Sequence, residues 1–277
     1  MIHRPHHGDR LTVWAAAATA ILFATLNQAD AQELHNPTNG EHPMVQVIKM
    51  ADDGLDRLDN GVEDYTCTLV KRERINGDLG EHQHIFTKVR HKPFSVYMYF
   101  IAPGPMKGRE VIYVDGQNNG KMQAHEAQGW RSKFGMVSLD PASRLAMTGQ
   151  RYPITMTGIR IMTSRLVEVA QEDTKYGECE VKIMEGGKIN GRDCTCIECV
   201  HPVRRKEFRY HMARVFIDDE LQIPVRYAAY LWPRTQGGEP ELDEEYTYLN
   251  IKLNNGLTDK DFDYRNENYR FGKGSRR

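Results

Sequence analysis

The chain has 277 residues, 40% of them hydrophobic and 27% charged, and its 37 Lys+Arg nearly cancel its 38 Asp+Glu, leaving a net charge of −1. Such a balance gives no electrostatic ground for a nucleic-acid partner. The length suits one domain with a sizeable core, and the mixed charges suit an ordinary hydrated surface.

The elements begin with a leader. Arg4 and Arg10 stand in the first ten residues, and Leu11 to Leu26 is then uncharged. Ala29-Asp30-Ala31 follows, with small residues at both positions that a signal peptidase reads. A charged n-region, an apolar h-region and an A-x-A site predict a signal peptide over 1–31, cut between Ala31 and Gln32. The apolar run falls short of the roughly 20 residues that span a bilayer, which argues against a retained anchor. The protein is therefore expected in the periplasm or otherwise exported, soluble and not an integral membrane protein once processed. Residues 32–43 are polar and read as a linker.

Val47, Ile48, Met50, Ala51, Leu55 and Leu58 recur at helical spacing, so Met44 to Leu58 is predicted as a helix ended by Asp59-Asn60-Gly61. Strands follow. Tyr65, Cys67 and Leu69 alternate with Thr66, Thr68 and Val70, and Asn76-Gly77 signals a hairpin returning over His82 to His91. Phe94 to Ile101 is apolar on both faces and is expected to be covered on both sides. Further strands are predicted at Arg109 to Val114 and Lys121 to His125.

The period then changes. Asp140-Pro141 predicts a short helix through Met147, and Ile159, Met162, Leu166, Val169 and Ala170 predict a second. Strands resume at Cys179 to Met184, Arg192 to Val200, Phe208 to Ile217, Ile223 to Trp232 and Glu244 to Leu253, with Gly186-Gly187 among the turns. Residues 265–277 read as a solvated, polar, basic tail, leaving 44–264 as the β-rich domain. Strands joined by short turns imply an antiparallel sheet with helices on one face: an α+β fold.

No catalytic, phosphate-binding or dinucleotide motif is present, so the reading is non-enzymatic and without a cofactor. His82 and His84 share a strand face but lack a third ligand at a recognised spacing, so no metal is assigned. Cys194, Cys196 and Cys199 with His201 admit a disulfide, unpaired buried thiols or a zinc cluster. An oxidising compartment favours the disulfide, from Cys179 to Cys194 or Cys196 across a hairpin centred near Gly187. Met106, Met122, Met136, Met147, Met156 and Met162 crowd the middle of the chain, a flexible lining for an irregular apolar space or simply a Met-rich core.

The segments Tyr65 to Ile75 (YTCTLVKRERI), Lys88 to Phe100 (KVRHKPFSVYMYF) and Lys107 to Gly116 (KGREVIYVDG) closely resemble an uncharacterised planctomycete family of exported proteins, a domain of unknown function. Asp140-Pro141, Tyr152 to Ile154 and Glu244 to Tyr248 fit it too. More distantly, the order of a leading helix, a Tyr-led strand, a Lys-Pro strand and a strand ending in Asp-Gly resembles the LolA/LolB/RseB superfamily. That resemblance implies an incomplete antiparallel β-barrel, a LolA-like half-barrel with helices packed in its concave face. It implies binding of a lipid or lipoprotein acyl chain, or a similar amphiphile, for transport or envelope sensing. The alternative is a regulatory or scaffolding protein that holds an envelope protein on the same concave face. Tyr65, Leu69, Phe94, Val96, Met98, Phe100, Tyr113, Met147, Met162 and Leu166 are the residues expected to line the ligand cavity.

The mature protein is predicted to begin at Gln32. N-terminal sequencing of exported material checks this, and a membrane-bound form retaining Leu11 to Leu26 would overturn it.

Overall fold

The computed structural model describes residues 31–33, 42–129, 132–133 and 135–271. The expected signal peptide up to Asp30, and 34–41 of the expected linker, lie outside the described residues. In chain order the elements are β1 (Ala31–Glu33), α1 (Met44–Gly61), β2 (Asp64–Ile75), β3 (Asp78–Leu79), β4 (Gln83–Arg90), β5 (Ser95–Ala102), β6 (Glu110–Val114), β7 (Met122–His125), β8 (Met136–Leu139), α2 (Ile159–Asp173), β9 (Glu180–Ile189), β10 (Arg192–Val200), β11 (Met212–Asp218), β12 (Pro224–Leu231) and β13 (Glu241–Leu253).

Twelve strands form one antiparallel sheet in the order β1-β9-β10-β11-β12-β13-β2-β4-β5-β6-β7-β8, and β3 pairs only with β2. β1 and β8 end the row without meeting, so the sheet stays open, as the incomplete barrel expected from the sequence requires. Every pairing is antiparallel because each connection is a short turn or a return over one edge. The tightest follow local chemistry: Asn76-Gly77 (φ 52° and 92°) and Asn190-Gly191 (φ 52° and 79°) hold the positive angles that a two-residue hairpin turn demands.

Alternation assigns the faces. On β2 the odd positions Tyr65, Cys67, Leu69, Lys71 and Glu73 are buried and point to the concave side. Register carries that face outward: Leu69 sits across from Ile85, Ile85 from Phe100, Met98 from Val111, Val111 from Ala124 and Ala124 from Val137.

Both helices lie against the concave side, packed on the β9–β12 half. Met44, Val47 and Ala170 meet Val181, Ile197, Cys199, Ala213 and Ala229 there. Two contacts fix them. The Tyr65 hydroxyl accepts a hydrogen bond from the Ile159 backbone N–H at 2.9 Å, satisfying one of the unpaired donors at the start of α2. Gly158, at φ +119°, makes that approach possible, since a Cβ there would stand 3.0 Å from the Tyr65 hydroxyl. At the other helix, the Asn254 side chain donates to the Gly61 carbonyl at 2.8 Å and accepts from the Glu63 N–H at 2.8 Å, closing the end of α1.

The convex side of β4–β7 is covered by the chain's own C-terminal segment. Buried Asp64 accepts hydrogen bonds from the backbone N–H groups of Asn255 (2.7 Å) and Leu257 (2.8 Å), turning the chain across that face. Tyr269 stacks on Tyr97 with centroids 4.2 Å apart, and Phe262 and Phe271 are buried beside Ile112 and Val114. Glu110, only 2% exposed, accepts from the Tyr97 hydroxyl (2.9 Å) and the Arg270 N–H (2.7 Å). This explains why Phe94 to Ile101 is apolar on both faces. It also corrects the solvated tail expected from Arg265 onward, because Tyr269 and Phe271 belong to the core.

Two further expectations are corrected. Residues 140–149 form a series of turns rather than a helix. Asp140 Oδ1 accepts the Ala142 N–H at 2.7 Å, and the Ser143 hydroxyl returns to the Asp140 carbonyl at 2.7 Å, so local side-chain bonds compete with the helical ladder. The five cysteines are free and buried. The β9–β10 hairpin turns at Asn190-Gly191, which sets Cys194 opposite Gly187 and Cys196 opposite Met184, so Cys179 faces neither. Burial pushes the thiols up, to about 12 for Cys179 and Cys196 and about 11 for Cys194, which suppresses the reactive thiolate.

Phe271→Ala is expected to cost about 3 kcal/mol by opening a cavity on the convex face. Urea denaturation of the variant beside the parent measures it.

Candidate functional site

The helices pack onto the β9–β12 half of the concave face and stand off the other half. Between β2, β5–β8 and β13 on one side, and α2 with the 140–157 segment on the other, lies a cavity of about 720 Å³. Its apolar wall is Leu69, Met98, Phe100, Val111, Met122, Ala124, Val137 and Leu139 from the sheet, closed over by Leu145, Ile154, Met156, Met162, Leu166 and Val169. The wall is apolar because these are the same-face positions of adjacent strands, traced by the register above.

The opposite end is polar and densely paired. Lys71 and Glu73 continue the inward face of β2, and the Lys71 ammonium donates to Glu73 Oε2 (3.0 Å) and Gln150 Oε1 (2.6 Å). Glu73 also accepts from the Arg151 backbone N–H (3.1 Å) and from the Tyr246 hydroxyl (2.6 Å). Arg151 bridges Asp243 (2.7 Å) and Glu244 (3.2 Å), and the Tyr152 hydroxyl reaches Glu244 at 3.3 Å. The Arg165 guanidinium lies 5.0 Å above the Tyr152 ring.

Tyr246 has one hydroxyl proton and two carboxylate neighbours, Glu73 at 2.6 Å and Glu244 at 3.2 Å. The proton goes to the nearer Glu73, and the Glu244 contact is the longer of the two. Burial raises Glu244 above its ordinary value, against the opposing pull of Arg151. Burial likewise lowers the Lys71 ammonium, with Glu73 opposing, and raises the Tyr152 and Tyr246 hydroxyls.

Of the residues expected to line a cavity, Leu69, Met98, Phe100, Met162 and Leu166 do so. Tyr65 and Val96 point to the same side but are fully buried in the core beneath the start of α2. Phe94 and Tyr113 pair their rings at 6.2 Å off the lining, and Met147 stands in the turn segment, also off it. The disulfide candidates Cys179, Cys194 and Cys196 sit apart from the cavity. Sequence reading missed the whole polar end, including a clustered acid pair, Glu73 and Glu244. Among the described residues no group of three or more His, Cys, Asp or Glu is placed to hold a metal ion. His82 bonds Glu245 at 2.7 Å instead.

A family model described as "Protein of unknown function (DUF1571)" matches residues 62–271. No curated protein matches the chain. Solved structures similar to it include the Mycobacterium tuberculosis lipoprotein LppX, at 14% identity and TM-score 0.43, covering 77% of this chain and 98% of that one. A putative outer membrane lipoprotein-sorting protein domain from Vibrio parahaemolyticus has 10% identity and TM-score 0.38, covering 79% and 97%. The Pseudomonas aeruginosa MucA/MucB complex has 14% identity and TM-score 0.42, covering 78% of this chain and 60% of that one.

A carboxyl raised in the folded state stabilises fully below its ordinary value of 4.5 and loses that contribution as pH rises through its folded value. Glu244→Gln mimics the protonated form. The variant is therefore expected to gain on the parent as pH climbs from 4.5 to neutral, and paired urea melts at the two pH values show it.

Proposed function

For a chain that belongs to the DUF1571 family, we propose binding of a long-chain amphiphile in the concave cavity, without catalysis, as its function. The observation that carries this is the apolar cavity between the β2 and β5–β8 wall and the face of α2 that stands off it. A cavity of about 720 Å³ falls among ordinary ligand sites, which span roughly 300–1,000 Å³. An acyl chain suits it, because each buried methylene contributes about 0.8 kcal/mol and the wall offers no polar group to satisfy. Met98, Met122, Met156 and Met162 are unbranched and polarizable, so they adapt to chains of different length.

The acid pair does not favour an enzyme. Both carboxyls are engaged within the protein: Glu73 accepts from Lys71, the Arg151 N–H and Tyr246, and Glu244 meets Tyr152 and the Arg151 guanidinium. Cleavage of the leader after Ala31 and an exported, soluble mature form belong to the same reading, as does a domain beginning near Met44. Among the described residues no helix is long and apolar enough to cross a membrane.

A second reading rests on β8. It is the open edge of the sheet, and its Val137 and Leu139 line the cavity. An extended segment of an envelope protein, added as a further strand, would place alternate side chains in the same space.

Ala124→Trp fills the cavity from the β7 wall while keeping an apolar residue. Titration with a fluorescent long-chain fatty acid is expected to show saturable binding by the parent and at least tenfold weaker binding by the variant, with thermal melts close together. No binding by the parent would favour the β8 reading.

A further inference from the structure

The polar end of the cavity has an uneven balance of donors and acceptors. Its carboxylates are largely engaged: Glu73 by Lys71, Arg151 and Tyr246, Glu244 by Arg151 and Tyr152, and Asp243 by Arg151 through one oxygen. Its donors are not. Gln150 gives its Oε1 to Lys71, and its Nε2 is buried with no partner. The Lys71 ammonium uses two of its three N–H groups. Arg165 rests on the Tyr152 ring and has no ion pair among the described residues. The unused groups here are N–H donors, and two of the side chains that carry them, Lys71 and Arg165, are cationic.

A buried donor left unpaired costs about 1–3 kcal/mol, so this arrangement asks for an acceptor-only partner. A guanidinium meets a carboxylate or phosphate with two parallel hydrogen bonds. We propose that the polar end of the cavity is a subsite for an anionic headgroup, carboxylate or phosphate, held by Arg165 and the Gln150 amide while the chain runs along the Met98 wall. This rests on the amphiphile reading above and adds the class of headgroup to it. Arg165 is the residue that discriminates: it projects from α2, which Tyr65 anchors to the sheet, and its guanidinium lies over the Tyr152 ring at the cavity wall.

The test compares a fluorescent long-chain fatty acid with its methyl ester, which keeps the chain and removes the charge, and with a lysophosphatidic acid of the same chain. The parent should bind at least one of the two anions at least tenfold tighter than the ester. Arg165→Gln should remove most of that preference by weakening the anion far more than the ester, and Arg165→Lys should restore part of it. A thermal melt of each variant verifies folding, which the half-exposed Arg165 should not disturb. The tighter of the two anions tells whether the group is a carboxylate or a phosphate. Equal binding of the anions and the ester by the parent would overturn the headgroup subsite and leave the cavity function standing. Equal weakening of acid and ester in Arg165→Gln would also overturn it, by showing that Arg165 only shapes the cavity. If neither acid nor ester binds the parent, the amphiphile reading itself has failed, and the subsite with it.

Discussion

The bond from the Ile159 N–H to the Tyr65 hydroxyl sets the geometry on which the cavity depends. An open sheet of twelve strands offers two broad faces, and the placement of two helices decides which parts of them are core and which are cavity. α2 enters the concave side through Gly158, whose missing side chain admits the Tyr65 hydroxyl and whose φ of +119° suits few other residues. A start fixed at this point sends Met162, Leu166 and Val169 along one cavity wall and Val167 and Ala170 toward the packed half. A shift of one residue at this junction would turn each of those side chains by about 100° around the helix axis.

The two faces of the sheet are covered by different means, and the difference has a physical cause. The convex face of β4–β7 is sealed by a segment whose regular structure is one short 3-10 turn, Asp259–Phe262, so its stability comes mainly from aromatic packing on Tyr97 and from backbone donors satisfied by Glu110 and Asp64. The concave face is covered by helices, which cannot follow the curvature across all twelve strands. They pack against β9–β12, on Ala213, Ala229 and Cys199 among others, and stand off the β5–β8 wall. The cavity is the space left by that mismatch.

The face of each strand was legible from alternation alone, and the cavity wall follows from it: Leu69, Met98 and Phe100 share a face because the period of a strand is two. Lys71 and Glu73 obey the same parity, yet their partners Arg151, Glu244 and Tyr246 come from distant segments, and nothing local announces them. The acid pair is a product of register between β2 and β13. The cysteine pairing failed for a more specific reason. Gly186-Gly187 reads as a turn, but a Cβ on Gly187 would stand 3.0 Å from the Cys194 carbonyl. That glycine serves a close strand approach inside the hairpin, and Asn190-Gly191 makes the turn. The C-terminal segment hid its aromatics in polar company, with no period to expose them.

The pairing of β2 with β13 carries a consequence for how the molecule assembles. Tyr246 meets Glu73 across 173 residues of chain, and both strands stand in the middle of the sheet. Loop closure over such a distance is entropically costly, and contacts of this separation form late. A chain emerging N-terminus first, from a ribosome or through a membrane pore, can pair β2 with β4 and β5 early, but it presents an unzipped inner edge of β2 until β13 arrives. Through that interval the apolar wall of the future cavity lies exposed, and it closes into the core only when β13 pairs.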